Sequence, residues 1–174
     1  MKTTIFLFHP NIQESKTNAA LIKGIGVEVR DIYKLYPDGE INVKREQEAL
    51  LQADRIILQF PMYWFSSPSL LKEWQDLVLE HGWAYGSQGH ALEGKEVMIT
   101  ITMGVLADEY QPNGKQKHTV DEYLLPVKAT MKYVGMTYLK PFIVSGAFYL
   151  NDEQRDEYAF KYRQVIQKPN YSKN

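Results

Sequence analysis

The sequence predicts a three-layer α/β fold, with five parallel strands between two layers of helices. Two observations and one rule of chain connection carry that reading. Short apolar runs of strand length alternate with helical stretches along the whole chain. Strands joined in this way by right-handed crossovers bury one parallel sheet between helices. The second observation is a strand-to-helix loop, Gln59-Phe60-Pro61-Met62-Tyr63-Trp64-Phe65-Ser66-Ser67-Pro68, that carries aromatics where loops ordinarily carry Gly, Asn, Asp and Ser. A loop this apolar calls for a cover: core, partner chain or flat ligand. In an open parallel sheet, ligands bind at the carboxyl ends of the strands.

Each element has its own warrant. Thr4 to Phe8 is an apolar first strand, stopped at His9-Pro10 because proline cannot donate to a ladder. Residues 11 to 17 read as polar loop and 18 to 23 as a helix closed by Gly24 and Gly26. Val27 to Ile32 alternates as a second strand, and Tyr36-Pro37-Asp38-Gly39 is a turn. Val43 to Ala53 is a charged helix, and Arg55 to Leu58 a buried third strand. Beyond the aromatic loop, Leu70, Leu71, Trp74, Leu77 and Val78 mark one face of a helix reaching about Glu80. Gly82 to Gly94 is loop and Val97 to Thr102 a fourth strand. Thr119 to Met136 is the longest helix candidate: Thr119 and Glu122 make a capping box, and Pro126 predicts a kink or a first-turn break. Tyr138 to Val144 is a fifth strand, and Asp152 to Gln167 a last helix capped by Asn151. The polar tail from Pro169 is expected to fray.

The totals narrow the class. The chain of 174 residues is expected to form one domain, 1–174, with a sizeable core. A net charge of -1 leaves no footprint for nucleic acid. Cysteine is absent, so there is no disulfide framework and no thiolate chemistry, in keeping with a cytoplasmic setting. The first apolar run reaches His9-Pro10 too soon for a secretory leader, and no run approaches the ~18 apolar residues of a membrane span. His9, His81, His90 and His118 have no metal-ligand spacing. There is neither a G-x-G-x-x-G nor a P-loop pattern, and no G-x-S-x-G elbow.

The aromatic loop and its helix resemble one family. Phe60, Pro61, Trp64, Phe65, Ser66, Pro68, Lys72, Trp74 and Asp76, followed by His81-Gly82-Trp83-Ala84-Tyr85-Gly86, are similar to the signature of the flavodoxin-fold NAD(P)H:quinone reductases. That group holds mammalian DT-diaphorase, the bacterial drug-activity modulators and the accessory subunit of glutathione-gated potassium efflux. The likeness runs from about His9 to Phe148. The pattern of elements alone fits a flavodoxin-like or a short dinucleotide-binding arrangement. The resemblance selects the flavodoxin-like three-layer sandwich, strand order 2-1-3-4-5, with FMN rather than FAD at the switch point.

Four constellations follow. His9, Ser15, Lys16, Thr17 and Asn18 lie between the first strand and first helix, where a phosphate would meet free N–H groups and the positive end of the helix dipole. On residues alone this reads equally as an ordinary capped helix; the resemblance assigns His9, Ser15 and Asn18 to the FMN phosphate. Pro61, Met62, Tyr63, Trp64 and Phe65 read first as core or subunit contact, and the resemblance sets them around the flavin ring, with Trp64 foremost. Thr102-Met103-Gly104-Val105 stands where the family usually has Thr-Thr-Gly-Gly at the flavin's pyrimidine edge. Met103 and Val105 depart from that pattern, and a missing glycine at 105 is expected to restrict the backbone. Tyr110 and His118 lie where the family places proton donors, although loop Tyr and His residues are commonly just exposed.

The resemblance implies that NADH or NADPH passes hydride to FMN and that a quinone or other small acceptor then takes two electrons. It implies a homodimer, for which the exposed-looking Trp64, Phe65, Trp83 and Tyr85 are suitable interface residues. Two further readings stand beside it: an accessory subunit docked on a membrane potassium-efflux transporter, and a flavodoxin-type electron carrier. The charge run from Asp152 to Lys161 reads as a solvated helix face.

Overall fold

Alternate residues of the central strands point to opposite faces of one sheet, and that alternation builds two cores. The computed structural model describes residues 1–168; the tail expected to fray lies outside them. The elements are β1 (Thr3–Leu7), α1 (Lys16–Ile22), β2 (Glu28–Asp31), α2 (Ile32–Leu35), α3 (Val43–Gln52), β3 (Arg55–Pro61), α4 (Ser69–Val78), β4 (Glu96–Thr102), α5 (Val120–Tyr123), α6 (Leu125–Tyr133), β5 (Thr137–Tyr138), β6 (Phe142–Val144) and α7 (Asp152–Gln167). The order is β2-β1-β3-β4-β5, with β6 also on β4, and every pairing is parallel. Phe6, Ile56, Leu58, Ile99 and Ile101 face Leu50, Trp74 and Met131 on one side. Ile5, Ile57 and Met98 face Leu21, Tyr162 and Ile166 of α1 and α7 on the other. This is the flavodoxin-like α/β sandwich that the alternation and the resemblance imply.

Several boundaries move, each for a physical reason. The third strand runs past Leu58 to Pro61, because β4 extends as far and pairs Phe60 with Ile101 and Pro61 with Thr102. Phe60 is therefore core, not loop, and Pro61 sits at the strand's last position, where its missing N–H is tolerated. The helix expected over 119–136 is two helices that meet at Leu124, with Pro126 in the first turn of the second. The longest helix is instead α7, with 16 residues, between Asn151 and Lys168 caps. The fifth strand is interrupted at Leu139-Lys140-Pro141; its halves pair with different stretches of β4. α1 begins earlier than expected, at Lys16, because Ser15 caps it by accepting from the Asn18 N–H. Residues 12–14, expected as loop, form a 3-10 turn. α2 is unforeseen, a four-residue helix capped by Asp31. Trp83 and Tyr85, expected on the surface, are half-buried against the larger core.

Two buried polar groups hold the scaffold. Glu46 on α3 is fully buried and accepts from Arg30, from the Tyr36 hydroxyl at 2.6 Å and from Trp74 Nε1 at 3.1 Å. Burial, then the bond to Glu46, pushes the Tyr36 hydroxyl up to about 12. The tryptophan of the Lys72-x-Trp74-x-Asp76 signature is thus a buried donor, while Lys72 and Asp76 pair on the surface. At the amino end of the sheet, Arg55 is buried. Its Nε donates to Glu96 at 2.8 Å and its Nη1 to the carbonyls of Val165 and Ile166 at 3.3 and 3.1 Å. That caps the last turn of α7 with a cation, as the helix dipole favours.

Candidate functional site

A cleft of about 560 Å³ opens at the carboxyl ends of β1, β3 and β4. Its walls come from the start of α1, the ends of β3 and β4, and the loop into α7. The first wall is polar. Ser15 Oγ accepts from the Asn18 backbone N–H at 3.3 Å and from Asn18 Nδ2 at 3.1 Å. The N–H groups of Lys16 and Thr17 stand in the first turn, where a helix has no internal partner for them. His9 is buried, and its Nδ1 accepts the Asn11 N–H at 3.1 Å, so the neutral ring carries its proton on Nε2. Burial draws the His9 pKa below its ordinary 6.5, against the pull of Asp31. Lys16 and Arg155 line the same cleft, with Glu14 the one carboxylate among its lining residues. Arg155 is held by the Leu150 carbonyl and by Asp152 at 2.6 Å, and it holds the Asp152 carboxyl below the usual range. Hydroxyl, amide and imidazole donors beside two cations suit a phosphate monoester.

Beneath the polar wall runs a chain of buried hydrogen bonds. Asn18 Nδ2 donates to Thr102 Oγ1 at 2.9 Å as well as to Ser15, and Asn18 Oδ1 accepts from Gln59 Nε2 at 3.1 Å. Gln59 Oε1 accepts from the Tyr162 hydroxyl at 3.1 Å, which accepts from Thr100 Oγ1 at 3.2 Å. Asn18, Gln59, Thr100, Thr102 and Tyr162 are all buried. Strands β3 and β4 and helices α1 and α7 are thus locked together directly under the cleft.

The other walls are flat and apolar. Pro61, Met62, Tyr63, Met103, Gly104 and Phe148 line them. The loop after β6 is bonded to the loop after β4, Gly146 N–H to Val105 O at 3.0 Å and Ala147 N–H to Met103 O at 2.8 Å. Phe148 then lies on Gly104 so closely that a Cβ there would fall 2.2 Å from its ring. A side chain at 104 would displace the exposed Phe148 ring. Val105 does not have positive φ, so the departure from glycine strains nothing, and its side chain is exposed outside the cleft lining. The hollow beside Gly104, bordered by aromatic and thioether side chains, suits a planar ring system.

Trp64 and Phe65 are not among the residues lining this cleft. They form a two-residue turn with φ of 48° and 61°, closed by reciprocal Tyr63–Ser66 backbone bonds of 3.0 Å. Positive φ at both central positions belongs to hairpin turns that favour Asn and Gly. Here it throws Trp64 outward, 93% exposed, while Phe65 stacks on Tyr123 at 5.2 Å. Tyr110 and His118 also pack edge-on to Tyr123. Tyr110 is buried, and its hydroxyl meets Met62 Sδ at 3.3 Å; burial, then the neighbouring Tyr123, raises its pKa. His118 is exposed beside Glu122 at 3.5 Å. Neither lines the cleft. His9, Ser15, Lys16, Thr17, Asn18, Pro61, Met62, Tyr63, Thr102, Met103 and Gly104 do come together there. Sequence reasoning misses Arg155, Phe148, Gln59 and Tyr123. Arg155 lies inside an apparently solvated charge run, and Gln59 inside a strand. Among the described residues, no helix is long and apolar enough to cross a membrane, and no group of three or more His, Asp or Glu could hold a metal ion.

Comparison with known proteins agrees with this architecture. The profile of the family described as Flavodoxin-like fold matches residues 1–166. General stress protein 14 of Bacillus subtilis (strain 168) is 43% identical over 97% of this chain and 99% of its own. The uncharacterized NAD(P)H oxidoreductase YrkL of the same organism is 42% identical over 88% and 90%. The glutathione-regulated potassium-efflux ancillary protein KefF of Enterobacter sp. (strain 638) is 40% identical over 93% of each. Among solved structures, general stress protein 14 of Treponema denticola in complex with FMN has TM-score 0.88 and 34% identity, over 96% of this chain and 100% of that one. A thermophilic tryptophan halogenase structure from Streptomycin violaceusniger has TM-score 0.93 and 40% identity, over 95% and 99%. The chain belongs to the flavodoxin-like fold family.

Proposed function

We propose that this member of the family is an FMN-dependent NAD(P)H oxidoreductase that reduces a quinone or similar small acceptor. One observation carries the reading. The cleft at the carboxyl ends of β1, β3 and β4 combines a donor-rich wall of Ser15, Thr17, His9, Lys16 and Arg155 with an apolar wall that includes Met62, Tyr63 and Phe148. The FMN-bound structural neighbour and the NAD(P)H oxidoreductase relative support it. The halogenase neighbour is a reminder that a fold does not carry a substrate.

Bound there, FMN supplies the redox chemistry: hydride acceptance from NADH or NADPH and two-electron delivery to the acceptor. The chain's own residues bind, orient and exclude water. The Ser15 hydroxyl, the Thr17 N–H, His9, Lys16 and Arg155 would hold the phosphate, with Asn18 behind Ser15, its own donors spent on Ser15 and Thr102. Pro61, Met62, Tyr63 and Thr102 to Gly104 would hold the ring, where the β4-end donors favour developing negative charge. Phe148 and Met62 would keep water from the ring. Tyr110 stands one side chain behind the cleft, so it serves as a proton donor only when Met62 turns aside; His118 is assigned with Tyr123 to supporting the loop. The working form is a single-domain chain paired as a homodimer through the exposed surface around Trp64, acting in the cytoplasm.

The test is to load the purified protein with FMN, remove free flavin and add NADPH or NADH without oxygen. Retained flavin that bleaches and recolours with a quinone, with ping-pong steady-state kinetics, supports the reading. Flavin that neither nucleotide bleaches overturns it. The KefF relative supports a second role as an ancillary subunit of a potassium-efflux system. Co-purification with such a transporter tests that role separately.

A further inference from the structure

The buried chain under the cleft has a direction, and the direction decides what the cleft offers. A carboxamide donates from one end and accepts at the other. As arranged, Thr100 donates to Tyr162, Tyr162 to Gln59, Gln59 to Asn18, and Asn18 to both Ser15 and Thr102. Ser15 Oγ also accepts the Asn18 backbone N–H. The two lone pairs of the Ser15 hydroxyl are then occupied, and its proton has no partner among the described residues. Thr102 Oγ1 likewise accepts, leaving its proton to turn outward. Both side chains line the cleft. Run the chain the other way, with both carboxamides rotated, and each bond survives. The Ser15 and Thr102 hydroxyls would then donate inward to Asn18, and the cleft would lose two donors.

We propose that Gln59 is a positioning residue: acting through the Asn18 carboxamide, it keeps the hydroxyl protons of Ser15 and Thr102 turned into the cleft, toward an anionic or carbonyl-bearing ligand. Gln59 is fully buried and far too embedded to touch the ligand itself. Tyr162, on α7, is the next link, and as arranged its hydroxyl donates to Gln59 Oε1 and leaves Nε2 for Asn18. The inference rests on the FMN reading, because FMN brings both a phosphate and ring carbonyls.

The Gln59→Glu substitution tests the direction. Ionised, the introduced carboxylate can only accept, so Asn18 must present Nδ2 to it and Oδ1 to the hydroxyls. Protonated, the introduced carboxyl can donate to Asn18 as the glutamine does. The Gln59→Glu protein should therefore bind FMN at least about tenfold more weakly than wild type at high pH, the worth of lost bonds to a charged ligand, and recover as pH falls. Burial sets that recovery well above the ordinary glutamate range. His9, Glu14, Lys16 and Arg155 line the cleft, and Tyr162 faces residue 59 from α7. These groups and the phosphate titrate in wild type too, so the ratio of the two dissociation constants is read at each pH by flavin fluorescence. Gln59→Leu is the control, weak at every pH. Where Gln59→Glu fails to fold, Tyr162→Phe replaces it and should weaken FMN a few-fold with its melting transition retained. A folded Gln59→Glu that tracks wild type at all pH overturns the proposal alone, as does a loss independent of pH and equal to that of Gln59→Leu, or an unchanged Tyr162→Phe. Wild-type protein that retains no FMN overturns the cofactor reading and this proposal with it.

Discussion

Glu46 and Asn18 are two buried hubs built to the same plan, each gathering side chains from several segments onto one residue. They differ in where the bonds end. Glu46 accepts from Arg30, Tyr36 and Trp74, and every donor is the protein's own. Asn18 links Gln59 to Ser15 and Thr102, and both hydroxyls also line the cleft. A closed hub joins elements; an open one joins them and leaves donors facing out. Charge follows the same division. The closed hub uses an ion pair, whose burial is offset by partners: Glu46 meets three donors, while Arg30 Nε is buried without an acceptor among the described residues. The open hub is neutral, so it can hold donors toward a ligand without the desolvation of a charge.

Removing the closed hub should have the largest effect on stability and the least on binding. Glu46→Ala takes from a mostly buried Arg30 its nearer partner, leaving Glu28 at 3.8 Å, and strands the Tyr36 and Trp74 donors. Breaking a buried pair in this way costs ~3–5 kcal/mol, a fall of roughly 10 °C in melting temperature for a chain of this size. Calorimetry of the variant checks it, and FMN affinity measured below the transition should stay within about twofold of wild type. A comparable loss of FMN affinity would erase the distinction between the hubs.

The open hub should invert that balance. Asn18→Ala leaves Gln59 Nε2 buried and unpartnered, at ~1–3 kcal/mol, a smaller loss in denaturant titration than that of Glu46→Ala. Flavin retention through a desalting column should be abolished. Stability lost without loss of flavin would show that the open hub is merely structural.

The two hubs also mark what can be read without a structure. The alternation of apolar runs suffices for the sheet, because a strand buried on both faces needs little else to declare it. Asn151 and Thr119 announce their helices through capping chemistry that is local to a few residues. What stays hidden is what distant segments do to each other. Glu46 looks like one more charge on a surface helix until Trp74, Tyr36 and Arg30 close over it. Gln59 reads as the start of a loop, and its bonds to Asn18 and Tyr162 depend on crossovers. The pattern at 102–105 suggests that a glycine matters, but the reason, Phe148 lying on Gly104, comes from another loop. Trp64 is set around the flavin by the resemblance, while its residue type alone reads as core or subunit contact; the positive φ that turns it outward has no sequence signal, since Trp-Phe is a poor composition for such a turn.

That turn supplies the next test. Trp64→Gly removes the side chain that disfavours positive φ, and little packing is lost from a residue this exposed. The variant should gain about 1 kcal/mol in denaturant unfolding, while sedimentation at low concentration should show weakened self-association. Backbone strain kept at a surface where it stabilises nothing is the pattern expected of a contact site. Unchanged self-association with the stability gain would leave the dimer reading without its main support.

The smallest effect expected is a pH dependence from His9, and its sign separates the empty cleft from the loaded one. Burial draws the folded-state pKa below 6.5, and Nδ1 accepts the Asn11 N–H, a bond that protonation there would break. The unfolded chain then binds the proton more readily than the folded one. The stability that His9 contributes is complete above about pH 6.5 and is lost as pH falls through the lower folded value. Other groups titrate over the same interval, so the comparison is with His9→Asn, which should show a flatter profile between about pH 6.5 and 5 by urea titration without flavin. A phosphate beside the ring works in the opposite direction, since a neighbouring anion favours the charged imidazole. The protein loaded with FMN should therefore lose less stability than the empty protein over the same interval, and His9→Asn should remove that difference. Equal profiles with and without FMN would place the phosphate away from His9 and shift the anion corner toward Lys16 and Arg155.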